Sequence, residues 1–352
     1  MKFLLFPLLC IEMILKLMLP LDLISLSCSS TKLKAIIKQF RFLTTERMFS
    51  TEQHANPKCF GFTIFFPNVD RHLLISFQHA PRSARRAAGT FSGEINGIRY
   101  PFRYVFSQNA YILYPGERNG LLIFDYIIDL VKVNRVDKLD LNLELVPNVP
   151  EFASLECIKN VFHVRIHGEN PVPFDQLATL SNNLNGPFQY IRITPEINGD
   201  VDPNWKMFTS EQLYIEYANW MQREHLLSMK GEYLYAAVTH FDEEDMIAFI
   251  RQWMNSTDTT FKNFMNINHR IFDRERIITE FNAVPWDAQR RAKVFVCWGI
   301  TFRNIVNYPI DCSDGFDFER EDGLLATIRV PITLPRMGFF VWHDRFPVRN
   351  VE

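Results

Sequence analysis

Hydrophobic and polar positions recur with two different periods along this chain, and the change of period divides it. Near the start, apolar residues fall at Ile11, Ile14, Leu15 and Met18, the i, i+3, i+4, i+7 spacing of one helix face. Glu12 and Lys16 lie four apart on the other side, in the order that favours an ion pair. Leu19-Pro20 stops that helix. Pro20 also opens a second helix, because its missing N–H falls among donors that are free there anyway. Asp22 sits in the new first turn, where the helix dipole favours an anion. Ser29 or Ser30 caps a third short helix carrying Leu33, Ile36 and Ile37. Three such helices present more apolar surface than they can bury among themselves, and that face wants a partner.

Residues 43 to 58 are polar and unperiodic and read as a linker. Then the period drops to two. "FGFTIFF" from Phe60, "HLLISF" from His72 and "TFSGEINGIRYPF" from Thr90 read as strands, with Asn96-Gly97 as a two-residue hairpin turn. From about residue 120, strands and helices alternate. The strands begin at Leu139, Phe162, Phe188, Gln212, Tyr233 and Phe261, spaced by about 21 to 28 residues, the range of leucine-rich and related repeats. Helical stretches such as "DYIIDLV", "FDQLATLSNNL" and "EEDMIAFIRQWM" lie between them. Units of this size cannot bury their faces alone, so stacking on neighbours is the natural solution. Strand signals return in "KVFVCWGITF", "GFDFER" and "LATIRV", the last two joined at Asp322-Gly323.

Composition changes this picture little. A formal net charge of -2 gives no global argument for nucleic acid or a membrane surface as partner. The six cysteines show no C-x-x-C spacing and read as reduced core thiols, which fits the cytoplasm or nucleus. The opposing reading takes Lys2, the apolar run Phe3–Ile11 and the Leu-Ser-Cys ending at Cys28 as an export signal. Glu12, Lys16 and Asp22 interrupt that run, each costly in a bilayer. The sequon at Asn255 would matter only under export.

The first forty residues resemble an F-box. Phe6-Pro7 stands at the Leu-Pro entry of that motif, and Ile14, Leu15 and Leu17 fall at the spacing of its first helix. Pro20-Leu21-Asp22-Leu23-Ile24 matches its Pro-x-Asp-Leu-Leu step, and Cys28-Ser29 its Val-Ser. Leu19 and Lys32 depart from the pattern, at a usual polar cap and near a usual Trp. Further on, His240–Ile267 resembles the F-box associated type 2 domain of nematode F-box proteins. Asp245, Met246, Phe249, Ile250 and Trp253 stand at its helix positions, with Ala248 where Asn is usual. Phe316–Ile328 is similar to its later Arg-x-Asp-Gly-x-x-Ala-Thr-Ile stretch.

The resemblance implies a non-enzymatic adaptor of a cullin–RING ubiquitin ligase of the SCF type. Its F-box would bind a Skp-type linker subunit through Phe6, Pro7, Ile11, Ile14, Leu15, Leu17 and Met18 of the first helix, and Pro20, Leu23, Ile24 and Cys28 after it. The expected architecture is α+β or α/β. It runs as an F-box (1–42), linker (43–58), β-rich leader (59–118), irregular leucine-rich-repeat-like strand-helix body (119–285) and β-rich end (286–352).

Side-chain alternation places a second surface on that body. With Leu139, Leu141 and Leu143 inward, Asp140, Asn142 and Glu144 face out. The same rule exposes His163, Arg165 and His167, then Tyr190 and Arg192, then Tyr214 and Glu216, then Tyr235. Tyr, Arg and His favour interfaces, so this face is the expected protein-substrate surface, with a merely solvated or self-covered sheet face as the alternative.

No phosphate-binding glycine loop, His-Glu-x-x-His helix or Gly-x-Ser-x-Gly elbow occurs, and no cofactor or metal is expected. His163 and His167 share their face with Arg165, whose charge opposes a cation there. The acids at 242–245 read as a helix start. Two other classes stay open: a secreted or lipid-anchored binding protein, and an F-box scaffold that binds the linker without directing degradation.

Overall fold

The structure, a computed structural model, describes residues 4, 7–18, 20–40, 47–52, 60–65, 72–76, 89–95, 97–107, 110–114, 120–131, 138–146, 148–300 and 305–347. It has mixed α+β architecture and divides into two compact units. The first holds residues 1–161 and 183–186, and the second holds 162–182 and 187–352.

In the first unit, α1 (Leu8–Lys16), α2 (Pro20–Ser27) and α3 (Thr31–Phe40) follow the expected helices. Pro20 opens α2, and the Ser30 hydroxyl accepts from the Leu33 N–H at the start of α3. Glu12 and Lys16 form the expected ion pair at 2.7 Å. The inner faces bury Ile11, Leu15, Leu23, Ile24, Leu33 and Ile37. A fourth helix, α4 (Gly120–Val131), packs on α3. Asp129 pairs with both Lys34 and Lys38, and the Tyr126 hydroxyl donates to Ser27 Oγ.

The strands of this unit are β1 (Arg47–Glu52), β2 (Phe60–Phe65), β3 (His72–Ser76), β4 (Gly89–Ile95), β5 (Ile98–Ser107), β6 (Ala110–Tyr114) and β7 (Lys138–Leu141). They lie in the order β7-β1-β2-β3-β6-β5-β4. The β4–β5 hairpin turns where the sequence places it, with Gly97 at φ +78°, a left-handed conformation that glycine adopts without cost. Two expectations are corrected. A strand, β1, occupies part of the expected linker: it pairs antiparallel with the next strand, β2, and in parallel with the distant β7, pairings that local polarity does not show. The strand from Leu139 ends at Leu141. Asn142 then caps a 3₁₀ turn over Leu143–Leu145, its side chain accepting from the Glu144 N–H. The helix α5 (Val149–Ala153) follows, capped by Asn148.

The second unit is built on β8 (His163–Ile166), β10 (Tyr190–Ile193), β12 (Gln212–Ile215), β13 (Tyr233–Thr239) and β14 (Asn263–Asn268), which pair in parallel in that order. Between them return α6 (Phe174–Asn183), a 3₁₀ turn at Lys206–Thr209, α7 (Arg223–Ser228) and α8 (Glu243–Met254), with the short pair β9 (Val172–Pro173) and β11 (Ile197–Asn198). Beyond β14 come α9 (Arg274–Glu280), β15 (Val284–Pro285), β16 (Val294–Ile300), β17 (Ile305–Asp311), β18 (Phe316–Glu319), β19 (Leu325–Arg329) and β20 (Arg336–Trp342). Here the sheet turns antiparallel: β20 pairs with β14, then β19, β18 and β15 follow. The parallel strand-helix run therefore ends in an antiparallel edge rather than continuing as one repeat.

Register makes the two faces of this sheet chemically distinct. One row reads Val164, Ile191, Leu213, Leu234, Phe264, Phe339 and Ile328 in direct opposition across the strands. All of these are buried, as are Met246, Ile247, Phe249, Ile250 and Trp253 of α8. The start of α8 is the expected reciprocal cap, Asp242 accepting from the Asp245 N–H and Asp245 from the Asp242 N–H. Arg320, from the Arg-x-Asp-Gly stretch, stacks on Trp253 at 4.8 Å and donates to the Trp253 and Asp258 carbonyls.

The opposite face carries the row His163, Tyr190, Gln212, Tyr233, Asn263, Phe340, Thr327 and Asp317. At its far end the β16–β17 hairpin covers it: Phe295 and Cys297 pack with Tyr233, Phe340 and Trp342, and Asn263 Nδ2 donates to Cys297 Sγ. Gly338 lies under this cover, where a Cβ would stand 2.5 Å from the Phe340 ring. Beside it a buried ion pair closes the sheet. Arg291 Nε donates to both oxygens of Asp317 at 2.9 and 3.0 Å, Thr327 donates to Asp317, Trp342 donates to Thr327, and the Arg291 guanidinium lies over the Trp342 ring. Its other donors meet the Ala292 and Cys312 carbonyls.

Both charges are buried and fully hydrogen-bonded, so removing one strands the other in a low-dielectric interior. Asp317→Ala is expected to lower unfolding stability by about 3–5 kcal/mol in denaturant titration. A loss below about 1 kcal/mol, the range of surface pairs, would contradict this account of the pair.

Candidate functional site

The N-terminal helices sort the expected linker-contacting residues into two sets. Ile11, Leu15, Leu23, Ile24 and Cys28 are buried within the unit, and Met18 is half-buried. These side chains pack the helices of the unit in the chain on its own. Pro7 is exposed, and its carbonyl accepts from Cys10 and Ile11 at the entry of α1. Pro20 opens α2. Phe6 lies outside the described residues.

What faces outward on α1 is a second apolar stripe. Leu9, Met13 and Leu17, each four residues apart, are 67%, 61% and 87% exposed, and Ile14 and Leu8 flank them at 41% and 49%. Ile14 and Leu17 belong to the set expected from the sequence, and Leu8, Leu9 and Met13 do not. The signal was present in the i, i+4, i+8 spacing of Leu9, Met13 and Leu17. It was overlooked because the same helix carries an inner stripe.

The strand-face residues are placed unit by unit. Asp140 of the first unit is half-buried, while Asn142 and Glu144 belong to the 3₁₀ turn after β7. In the second unit the register sets His163 beside Tyr190, and Arg165, Arg192, Tyr214 and Tyr235 in one line. Tyr190, Tyr214 and Tyr235 form a continuous ring ladder with centroid separations of 5.5 and 5.8 Å. Arg192 pairs with Glu216. Tyr190 is a correction: it is 2% exposed, held between the His163 and Tyr214 rings and beside Arg192. His163, Arg165, His167, Arg192, Tyr214, Glu216 and Tyr235 are half-buried. The register keeps these residues on one face, as alternation expects, and burial on that face comes from large neighbours that alternation does not weigh.

Electrostatics on this face favours neutral imidazole. Burial, then the charge of Arg165, pushes the His167 pKa down to about 4. Burial also raises the Tyr190 and Tyr235 phenols. Among the described residues no three His, Cys, Asp or Glu side chains converge as metal ligands, and no helix is long and apolar enough to cross a membrane.

Comparison with known proteins meets both sequence resemblances. The F-box domain model matches residues 3–45, and the F-box associated model matches residues 206–265. The second match spans β12, α7, β13, α8 and the start of β14. Two uncharacterized proteins of Caenorhabditis elegans are similar. One is 34% identical over 145 residues, 40% of this chain and 32% of the relative. The other is 29% identical over 165 residues, 45% of this chain and 36% of the relative. The chain thus spans about a third of the length of these relatives. No solved structure matches significantly. The chain carries an F-box followed by an F-box associated domain, the organisation of nematode F-box proteins.

The depressed His167 value has a consequence for stability. Between about pH 6.5 and about pH 4 the unfolded chain takes up a proton that the folded imidazole refuses. Stability contributed by neutral His167 is therefore present above that window and lost on acidification through it. Thermal melts should fall across it, and His167→Gln should flatten that dependence. An unchanged slope in the variant would refute the assignment.

Proposed function

We propose that this protein is a substrate-recognition adaptor of a cullin–RING ubiquitin ligase. The outward stripe of α1 carries the reading. Leu9, Met13, Ile14 and Leu17 are exposed apolar residues on the N-terminal helices, whose inner faces are already filled by Ile11, Leu15 and Leu23. Burying one such side chain contributes about 1.5–3 kcal/mol, which favours a partner that covers them. A Skp-type linker subunit is the partner that the F-box match supports. Catalysis then needs no chemistry in this chain. A captured substrate is held at high effective concentration near the ubiquitin-charged enzyme.

The captured substrate is a protein, and the half-buried Tyr214 and Tyr235 with the Arg192–Glu216 pair on the β10–β13 part of the second-unit sheet are its docking face. Tyr and Arg are the side chains that anchor interfaces. The strand-helix-strand body acts as an irregular repeat-like scaffold that lines these side chains up across β8, β10, β12 and β13. An intracellular setting, cytoplasmic or nuclear, fits the buried Cys28, whose carbonyl accepts from Glu94 and whose helix would be lost with an export signal. A scaffold that binds the linker without directing degradation is told apart by substrate half-life after depletion of this protein.

Two measurements test the reading. Met13→Asp with Leu17→Asp alters exposed positions, so thermal stability should hold while co-purification with the linker falls at least tenfold. Retained linker binding would remove the adaptor assignment. Arg192→Ala with Tyr214→Ala should cost about 1 kcal/mol of stability or less and release protein substrates identified by affinity purification, with linker binding kept. Substrates retained unchanged would move recognition off this sheet face.

A further inference from the structure

A cavity of about 360 Å³ opens in the second unit beneath the C-terminal end of α8. Every residue lining it lies within 206–265, the segment matched by the F-box associated model. Met229, Phe249, Trp253 and Phe261 make its apolar walls, and each is at least nine-tenths buried. Phe249 and Phe261 meet edge to face at 5.6 Å. The remaining lining is polar.

This cavity is held open by hydrogen bonds, which distinguishes it from loose packing. Asp258 Oδ1 accepts from both the N–H and the hydroxyl of Thr260 at 2.7 Å. The Ser256 hydroxyl donates to the Trp253 carbonyl, and Arg320 donates to the Asp258 carbonyl. Gln252 Nε2 reaches back to the Leu227 carbonyl, fixing α8 to α7. A wall fixed in this way costs little to order on binding. The loop's own donors occupy Asp258 Oδ1, whereas the exposed Lys230 has no ion-pair partner among the described residues. The aromatic floor is therefore flanked by one unpaired cation, Lys230, and by the Asp258 carboxylate, which keeps its charge while its Oδ1 is tied to the Thr260 donors.

We propose that this cavity is a second recognition site, taking one large apolar side chain of an extended peptide with a carboxylate next to it. The volume lies at the small end of ligand clefts, which span about 300–1,000 Å³, and suits a side-chain anchor. Aromatic walls bind the anchor, and Lys230 selects the neighbouring acid. The inference rests on the reading of this chain as a protein-binding adaptor. It adds a sequence preference that the sheet face does not supply, on the helix layer of the same unit.

The test uses the full chain with labelled tryptophan and follows the Trp253 indole resonance, assigned with Trp253→Phe. Three capped dipeptides serve as probes: glutamyl-phenylalanine, glutaminyl-phenylalanine and glutamyl-alanine amides. The glutamyl-phenylalanine probe should shift the resonance saturably, and the alanine probe should not. Lys230→Glu should weaken the glutamyl-phenylalanine probe about fivefold, the scale of one exposed ion pair, and leave the glutaminyl probe unchanged. Gln252→Trp, with an unchanged melting temperature, should block both phenylalanine probes by filling the mouth.

No saturable shift with any probe overturns the site. Shifts that survive both substitutions overturn its location. Equal binding of the two phenylalanine probes overturns the acidic preference. A saturable shift by glutamyl-alanine would make the acid alone the ligand and also overturn the anchor. Linker co-purification measured on the same samples separates the two readings. Lost probe binding with linker binding intact overturns only this site, whereas probe binding without linker binding overturns only the adaptor.

Discussion

Short parallel strands in strict register impose a condition on every residue they contain. Because side chains alternate and β8, β10, β12, β13 and β14 pair without offset through their first four positions, each face is a set of straight rows. The row Val164–Ile191–Leu213–Leu234–Phe264 is apolar throughout and accepts the helices. The row Arg165–Arg192–Tyr214–Tyr235 belongs to the other face by the same geometry. Sliding one strand by a single residue would bury the arginines and expose the leucines and isoleucines, a cost of several kcal/mol at each strand. The helix layer, the cavity under α8 and the tyrosine ladder all follow from that register.

The second face is not uniformly available. The β16–β17 hairpin folds over its β13–β14–β20 end, where Phe295 packs on Phe340 and Trp342 and where the Arg291–Asp317 pair is sealed. Near β8, β10 and β12 the same face keeps half-buried Tyr, Arg and Glu side chains. One sheet face is therefore interior at one end and half-buried at the other. In the first unit α1 divides its labour across its circumference, with Ile11 and Leu15 inside and Leu9, Met13 and Leu17 outside.

Much of this was legible in the sequence because it rests on local periodicity. Strands at Leu139, Phe162, Phe188, Gln212, Tyr233 and Phe261 correspond to β7, β8, β10, β12, β13 and β14, with ends shifted by a few residues. The Asp242–Asp245 cap and the β4–β5 turn are as the residues dictate. Non-local features were not legible. The strand β1 pairs with the distant β7, and β20 with the distant β14. Tyr190 is buried by His163 and Tyr214, neighbours that adjacency in sequence does not reveal. Which apolar residues of α1 point inward was not legible either, because a helix with apolar residues on most of its circumference leaves the choice of inner stripe to its packing partners.

The central proposal is that the N-terminal helices of the first unit meet the linker while the strand-helix sheet of the second unit meets the substrate. Hydrogen–deuterium exchange of the full chain with and without a purified Skp-type linker tests it most directly. The account predicts slowed exchange within residues 7–18 on linker binding, and unchanged exchange across β8 to β14. Protection confined to residues 163–265, with α1 unaffected, would contradict it.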